Sequence, residues 1–447
     1  MSLGRRVGAT TVLIAAAVLL TSGCGSSRPP RARARPAPPP VATQPATFTL
    51  PPLSSPHRLA VGLTEANANL LFTSGSHPAP AGFGAARAAL GALAPTYLRI
   101  VVDWSTLQPA PSAPARLDGP RDGCDRGRPP CRAFSGLRDE LAAVASQQRA
   151  GVHLTPVVVF YGVPAWAARS PSGCERPGTA PRSRALRPEA LDAYSRLVGS
   201  VLTLAASQGV ALPYLSPWNE PNHPFFISPQ RASCRAGSPS LSPSIYSELV
   251  RAMARELRLT GGDHHLVLGE LAGYDQPRTH SSSVEELVAA LPDDVVCSAT
   301  VWAIHDYVRR SAVTRADPVA VLERALARRR PCLPGSAALE GGGGSAAPLW
   351  VTETGAGAPH AGDPRSHSRA DARAGCRAQA AELDALAGDP RVGAVFQYTF
   401  REDPAFPVGL IDAGLTHLYP AYSLWRAWSV ATASRSSPPP LPAVCAR

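Results

Sequence analysis

Two glutamates stand apart from the other acidic residues of this chain. Glu220 lies in Trp218-Asn219-Glu220-Pro221, and Glu353 lies in Trp350-Val351-Thr352-Glu353-Thr354-Gly355. Each closes a segment with a short apolar run, Tyr214-Leu215 in one case and Pro348-Leu349-Trp350-Val351 in the other. Each is followed by a breaker, Pro221 or Gly355. That is the pattern of a β-strand ending in a loop, with a carboxylate presented at its C-terminal tip. Two carboxylates on one rim can cut a glycosidic bond. One protonates the departing oxygen, and the other attacks the anomeric carbon or stabilises its cation. Attack requires the two carboxyl groups to converge to about 5 Å.

Such convergence needs a scaffold that brings strand ends together. Apolar strand candidates are Leu59–Thr64, Tyr97–Val102, Val152–Tyr161, Tyr214–Trp218, His265–Leu271, Ala299–Tyr307, Pro348–Glu353 and Ala394–Phe400. They are near-continuous apolar runs, as expected of parallel strands buried on both faces. Between them lie Ala- and Leu-rich segments with helical spacing: Ala81–Leu93, Gly136–Arg149, Arg187–Gly209, Ser242–Arg258, Asp317–Arg330 and Arg369–Leu386. A last one, Pro420–Ala431, follows the eighth strand. This alternation predicts an α/β fold, a (β/α)8 TIM barrel. An open doubly wound sheet would carry a Gly-rich phosphate turn after its first strand, and Thr64-Glu65-Ala66-Asn67 is not one. The run Gly341-Gly342-Gly343-Gly344-Ser345 reads as a loop at the barrel bottom.

In a barrel of this kind the site forms at the C-terminal strand ends. The second strand brings Arg99, then Asp103 and Trp104. The third ends in Tyr161-Gly162-Val163-Pro164-Ala165-Trp166. The fourth gives Trp218, Asn219 and Glu220, the sixth His305, Asp306 and Tyr307, and the seventh Glu353. The eighth gives Tyr398, Phe400 and Arg401. Carboxylates, an amide, an imidazole and aromatics together suit a sugar, whose apolar ring face stacks on aromatics while its hydroxyls take hydrogen bonds. Arg99 within an apolar strand needs a buried partner. Glu270, ending the fifth strand, is the rival nucleophile. Glu65 and Asp103 are minor candidates for substrate contact, and Trp425 and Trp428, at helical spacing, read as core.

Taken together, Asn219-Glu220-Pro221, Thr352-Glu353-Thr354-Gly355, His305-Asp306-Tyr307 and Gly162-Val163-Pro164-Ala165-Trp166 give the chain a resemblance to the retaining β-glycoside hydrolases of clan A. This is the cellulase-like superfamily that includes families 5 and 39. The resemblance covers roughly residues 57–432. It implies Glu220 as acid/base and Glu353 as nucleophile, with Asn219 on the sugar 2-hydroxyl. It implies that Tyr307 holds the nucleophile, that His305 lines the subsite, and that Arg99 keeps the nucleophile charged. Glu220, placed against Trp218 and another carboxylate, is expected to keep its proton longer. Trp104, Trp166 and Trp218 are candidate sugar-binding aromatics. Tyr398 stands where many members carry a tryptophan, and the third strand lacks the histidine of many cellulases. The substrate implied is an oligo- or polysaccharide, with no metal and no organic cofactor. A carbohydrate-binding barrel without catalysis is the alternative, and a structural envelope lipoprotein without a sugar site is a second.

Composition agrees with an exported protein. The net charge of +11 comes from arginine alone, since the chain has no lysine. Its arginines are scattered, and no basic stripe alternates with aromatics, which argues against nucleic acid. Arg5-Arg6, the apolar Val12–Leu20 and Leu20-Thr21-Ser22-Gly23-Cys24 read as a signal peptide (residues 1–24) with a lipobox-like cysteine. Cys24 is thus the candidate lipidation site, giving a membrane anchor, with simple cleavage and secretion as the alternative. Residues 25–56, rich in Pro, Ala and Arg, read as a linker, 57–435 as the catalytic domain and 436–447 as a tail. Nine cysteines less Cys24 leave eight, an even number suited to disulfides. Cys124 and Cys131 bracket one loop. Cys174 and Cys234 belong at one barrel end, Cys297 and Cys332 at the other, and Cys376 and Cys445 remain. Oligomeric state is not legible.

Overall fold

The structure is a computed structural model. It describes residues 59–73, 75, 77–308, 316–332, 343–357, 365–366, 368–434 and 438–446. The signal peptide, Cys24, the linker and Gly341-Gly342 lie outside the described residues. The described residues all belong to one unit, Thr49–Arg447.

Eight strands close into a barrel in sequence order: β1 Ala60–Thr64, β2 Tyr97–Asp103, β3 Thr155–Tyr161, β4 Tyr214–Ser216, β5 His265–Ala272, β6 Val301–His305, β7 Leu349–Thr354 and β8 Val392–Tyr398. Every neighbouring pair is parallel, including β8 with β1. The expected (β/α)8 TIM barrel is therefore the fold. All eight strand candidates are present, with ends shifted by up to three residues in either direction. β3 starts at Thr155 because Val152–Leu154 still belongs to the turn after the preceding helix.

Helices follow the strands and cover the barrel. Leu191–Ser207 buries Tyr194, Leu197, Val198, Val201, Leu202 and Ala205, spaced three and four apart, so one stripe faces the sheet. Each such leucine, fully buried, contributes about 1.5–3 kcal/mol. Between β5 and β6 the sequence showed no helix, yet Val284–Ala290 and Asp293–Cys297 form there. Both are short, and the first depends on a capping box between Ser283 and Glu286 more than on periodicity.

Inside the barrel, Tyr97, Tyr214, Trp350 and Phe396 form an aromatic plug, with ring centroids 4.8–5.9 Å apart. Gly62 is required beside it, since a Cβ there would lie 2.2 Å from the Phe396 ring. Strand side chains alternate between faces. Arg99 is two residues beyond Tyr97, His305 two beyond Ala303, Thr352 two beyond Trp350 and Tyr398 two beyond Phe396. The next layer above the plug is therefore polar, and it sits toward the C-terminal mouth.

Four disulfides join Cys124–Cys131, Cys174–Cys234, Cys297–Cys332 and Cys376–Cys445. They accord with the loop and barrel-end placement read from sequence, and they indicate an extracytoplasmic, oxidising compartment. Among the described residues no helix is long and apolar enough to cross a membrane.

Candidate active site

Five charged side chains and the Tyr307 hydroxyl meet above the plug. Arg99, 1% exposed, places Nη1 2.7 Å from Glu353 Oε1 and Nη2 2.9 Å from Glu270 Oε2. The same Nη2 donates to Asn219 Oδ1 at 2.6 Å. His305 places Nδ1 2.7 Å from Glu220 Oε1 and Nε2 3.0 Å from Glu270 Oε2. Its Nδ1 is also 3.4 Å from Glu353 Oε2, an oxygen that accepts the Tyr307 hydroxyl at 2.5 Å. Thr352 Oγ1 donates to Glu270 Oε2 at 2.9 Å.

Glu220 and Glu353 thus converge from residues far apart in sequence. One carboxylate oxygen of each, with a His305 nitrogen, falls in a group whose members all lie within 4.8 Å of one another. Their side chains keep 16% and 10% exposure, whereas that of Glu270 has none. Of the three carboxylates, only Glu220 and Glu353 can meet a substrate. Glu270, the rival nucleophile, is sealed behind Arg99, His305 and Thr352.

Strand irregularities do the aiming. In β5 the alternation that points Val267 inward would point Glu270 outward. The register with β6 shifts between Leu268 and Leu271, and Gly269 takes φ +99°, which turns Glu270 into the barrel. A Cβ on Gly269 would lie 2.4 Å from the Ala303 carbonyl. The register of β7 shifts against both neighbours around Glu353, with the same effect. Glu220 is left-handed at φ +38°, and its backbone N–H donates to the Glu270 carbonyl at 2.9 Å.

The electrostatics differ from the expectation that Glu220 keeps its proton. Burial pushes the Glu220 carboxyl up, but the His305 hydrogen bond and charge, with His223 and Arg99, hold it below the usual carboxylate value. Burial likewise opposes charge on His305, yet Glu353, Glu220 and Glu270 push its imidazole up to about 10. Against its own burial, Glu270 is brought down to about 2 by Arg99 and His305. Burial and the Glu353 charge raise the Tyr307 hydroxyl well above its ordinary value. The resting site therefore pairs carboxylates with a guanidinium and an imidazolium.

Glu220, His305 and Glu353 are also the one such cluster among the described residues close enough to share a cation. The donor set does not suit one. Both His305 ring nitrogens already face carboxylates, and Arg99 holds Glu353.

The remaining sequence candidates divide by burial. Asn219 keeps its Nδ2 without a partner among the described residues, at the mouth beside Glu220. Tyr398 is half-buried and lies near Glu353, edge-on to Phe406. Trp104 and Trp218, expected as sugar-binding aromatics, are instead sealed in the core and cannot serve as platforms. Trp104 packs on Trp166 and Tyr194 and bonds Gln108 Oε1. Trp218 packs on Tyr194 and bonds the Phe226 carbonyl. Trp166 is half-buried, with its Nε1 tied to the Gln108 carbonyl. Phe400 is core, and Arg401 clamps the carbonyls of Gly123, Arg128 and Ala413. Glu65 accepts the backbone N–H groups of Asn67 and Arg401. Asp103 caps the Trp104–Leu107 turn and pairs with Arg182. All four are engaged within the fold, by packing or by hydrogen bonds and ion pairs.

Sequence reasoning missed an aromatic shelf on the loop after β4. Phe225 is 53% exposed, lies edge-on to Phe226 at 5.0 Å, and is covered on one side by Arg182, which also lies over Tyr161. His223 stacks on Tyr274 and touches Phe226. The Phe225-Phe226 pair, five residues past Glu220, was the available signal.

No protein-family model and no curated protein matches the chain. Solved structures of the same fold do. GH5_18 from Streptomyces cattleya, in complex with GlcNAc, is 15% identical with a TM-score of 0.51, covering 86% of this chain and 83% of that one. SrfJ from Salmonella typhimurium is 13% identical with a TM-score of 0.51, covering 86% and 76%. A family 39 glycoside hydrolase from Bacteroides cellulosilyticus WH2 is 14% identical with a TM-score of 0.48; the chain spans 64% of its length. GH5_18 and the family 39 enzyme are glycoside hydrolases, and the likeness of this chain to them is one of fold.

Proposed function

We propose that the protein is an extracytoplasmic retaining β-glycoside hydrolase acting on an oligo- or polysaccharide, and that Cys24 anchors it to the membrane through lipid. One observation carries the catalytic reading. Two carboxylates, Glu220 and Glu353, face each other within 4.8 Å at the open end of a barrel, both reachable from solvent and each with a different partner. A separation of about 5 Å suits double displacement, whereas inversion needs about 6.5–9.5 Å to admit a water.

In this reading Glu353, oriented by Arg99 and Tyr307, attacks the anomeric carbon. The glycosidic bond breaks with its electron pair going to the leaving oxygen, which takes a proton from Glu220. Water then enters, Glu220 takes its proton, and the ester bond to Glu353 breaks in turn. Arg99 and the Tyr307 hydroxyl hold the nucleophile on both oxygens, so little reorganisation accompanies attack. Asn219, its carbonyl oxygen held by Arg99, has an amide free to donate to a sugar hydroxyl. The shelf of Phe225, Phe226 and Tyr161 lies on the Glu220 side, where the leaving sugar would stack. The mechanism calls for no metal or organic cofactor. That a barrel of the same fold holds GlcNAc accords with a sugar at this mouth.

The test is hydrolysis of aryl β-glycosides and polysaccharides by the wild type, Glu353→Ala and Glu220→Ala. Glu353→Ala should abolish turnover, and azide should partly rescue Glu220→Ala on activated substrates. Full activity in either variant would end the assignment.

A further inference from the structure

Glu270 takes no part in the double displacement, yet the fold holds it in a costly position. Its carboxylate is fully buried, and its Oε1 has no hydrogen-bond partner among the described residues. An unpartnered buried oxygen costs stability. Its backbone is left-handed at φ +49°, next to Gly269 at +99°, in a strand whose register breaks to admit it. The left-handed Glu220 is bonded directly to its carbonyl. Backbone strain in non-glycine residues persists where the surroundings enforce it, and it clusters at functional sites.

We propose that Glu270 is a positioning residue: it is the buried counter-charge that keeps the His305 ring protonated on both nitrogens, so that His305 delivers the acid proton to Glu220. The proposal rests on Glu220 being the acid of a glycosidase. The geometry is a line of three groups. Glu220 Oε1 lies 2.7 Å from Nδ1, and Glu270 Oε2 lies 3.0 Å from Nε2. Glu270 Oε2 also accepts from Arg99 and Thr352, so it has no proton to give, and Nε2 must donate. Nδ1 faces Glu220 Oε1, with Glu353 Oε2 at 3.4 Å, and donates there as well. Of the other charged or titratable groups around this line, Arg99 binds Glu270 and Glu353, Tyr307 donates to Glu353, and His223 is close enough to feel the His305 charge.

The proton balance closes over one cycle. The Nδ1 proton passes to Glu220 Oε1 and from there to the leaving oxygen, which also takes the electron pair of the broken C–O bond. The ring is then neutral, with its remaining proton on Nε2 toward Glu270. In the second half the attacking water gives a proton to Glu220, which returns it to Nδ1 as the ester bond to Glu353 breaks.

The test is nitrogen NMR of the full chain labelled in histidine, with His305 assigned by the signal lost in His305→Gln. At about pH 8, where an ordinary histidine is neutral, both His305 nitrogens should carry protons in the wild type. In Glu270→Gln the ring should lose one of them at that pH, and Glu270→Asp, which keeps the charge, should restore it in part. On an aryl β-glycoside, the basic limb of kcat/KM should move down by about one pH unit or more in Glu270→Gln. A neutral His305 in the wild type overturns the proposal, and this result does not depend on Glu270→Gln folding. So does a folded Glu270→Gln with unchanged ring protonation, or with an unmoved basic limb. A chain that hydrolyses no β-glycoside removes the glycosidase reading and the delivery step, while the ring signals still decide whether Glu270 sets the charge of His305.

Discussion

Replacing Arg99 by methionine should uncover how much of this fold depends on its site. Arg99 is 1% exposed and joins Glu270, Glu353 and Asn219 at 2.9, 2.7 and 2.6 Å. Removing one member of a buried ion pair leaves the other uncompensated, at about 3–5 kcal/mol. The Glu270 carboxyl gives an independent figure. Bringing it from the ordinary 4.5 to about 2, against burial and chiefly through Arg99, corresponds to something on the order of 3 kcal/mol. Arg99→Met is therefore expected to lose about 3 kcal/mol at neutral pH. The sign with pH follows from proton linkage. In the wild type the depressed Glu270 contributes stability that is present above about pH 4.5 and is lost as pH falls toward about 2. Without Arg99, His305 is left to oppose burial at Glu270; burial is expected to outweigh it, so that the carboxyl rises above its ordinary value and the variant is most stable in acid and weakens as pH rises. Urea unfolding followed by circular dichroism at about pH 5 and pH 8 should show the gap between wild type and variant widening with pH. A gap of equal size at both, or none, would refute this reasoning.

Tyr307→Phe removes the hydroxyl 2.5 Å from Glu353 and should lower kcat/KM by about 10- to 100-fold, with the melting temperature nearly unchanged. Gly269→Ala puts a Cβ 2.4 Å from the Ala303 carbonyl at φ +99°, and should cost about 2 kcal/mol or more in urea unfolding while also abolishing turnover. Replacing Cys297 and Cys332 together by serine opens a link across a sequence separation of 35 residues and should cost about 3–4 kcal/mol by the same assay. Cys24→Ser should move the protein from the membrane fraction to the medium in the producing cell; unchanged membrane retention would refute lipid anchoring.

The barrel was legible because its strands are near-continuous apolar runs that must be buried on both faces. Arg99 was legible because a charge inside such a run demands partners. The limits are equally physical. Standing at a strand end does not tell which way a side chain turns, and Trp104 and Trp218 turn into the packing around Tyr194. Simple alternation points Glu270 and Glu353 out of the barrel, and only the register shifts of β5 and β7 bring them in. The proton preference of Glu220 depends on His305, which lies 85 residues away and meets it only in the fold. The aromatic shelf after β4 shows in sequence as no more than two adjacent phenylalanines.

The central claim is that Glu353 forms a covalent bond to the sugar while Glu220 manages the proton. Incubation with a 2-deoxy-2-fluoro glycosyl fluoride of the hydrolysed sugar, followed by peptide mapping, tests it most directly. A single glycosyl adduct is expected, on Glu353. An adduct on Glu220 or Glu270, or hydrolysis that inverts the anomeric configuration, would contradict it.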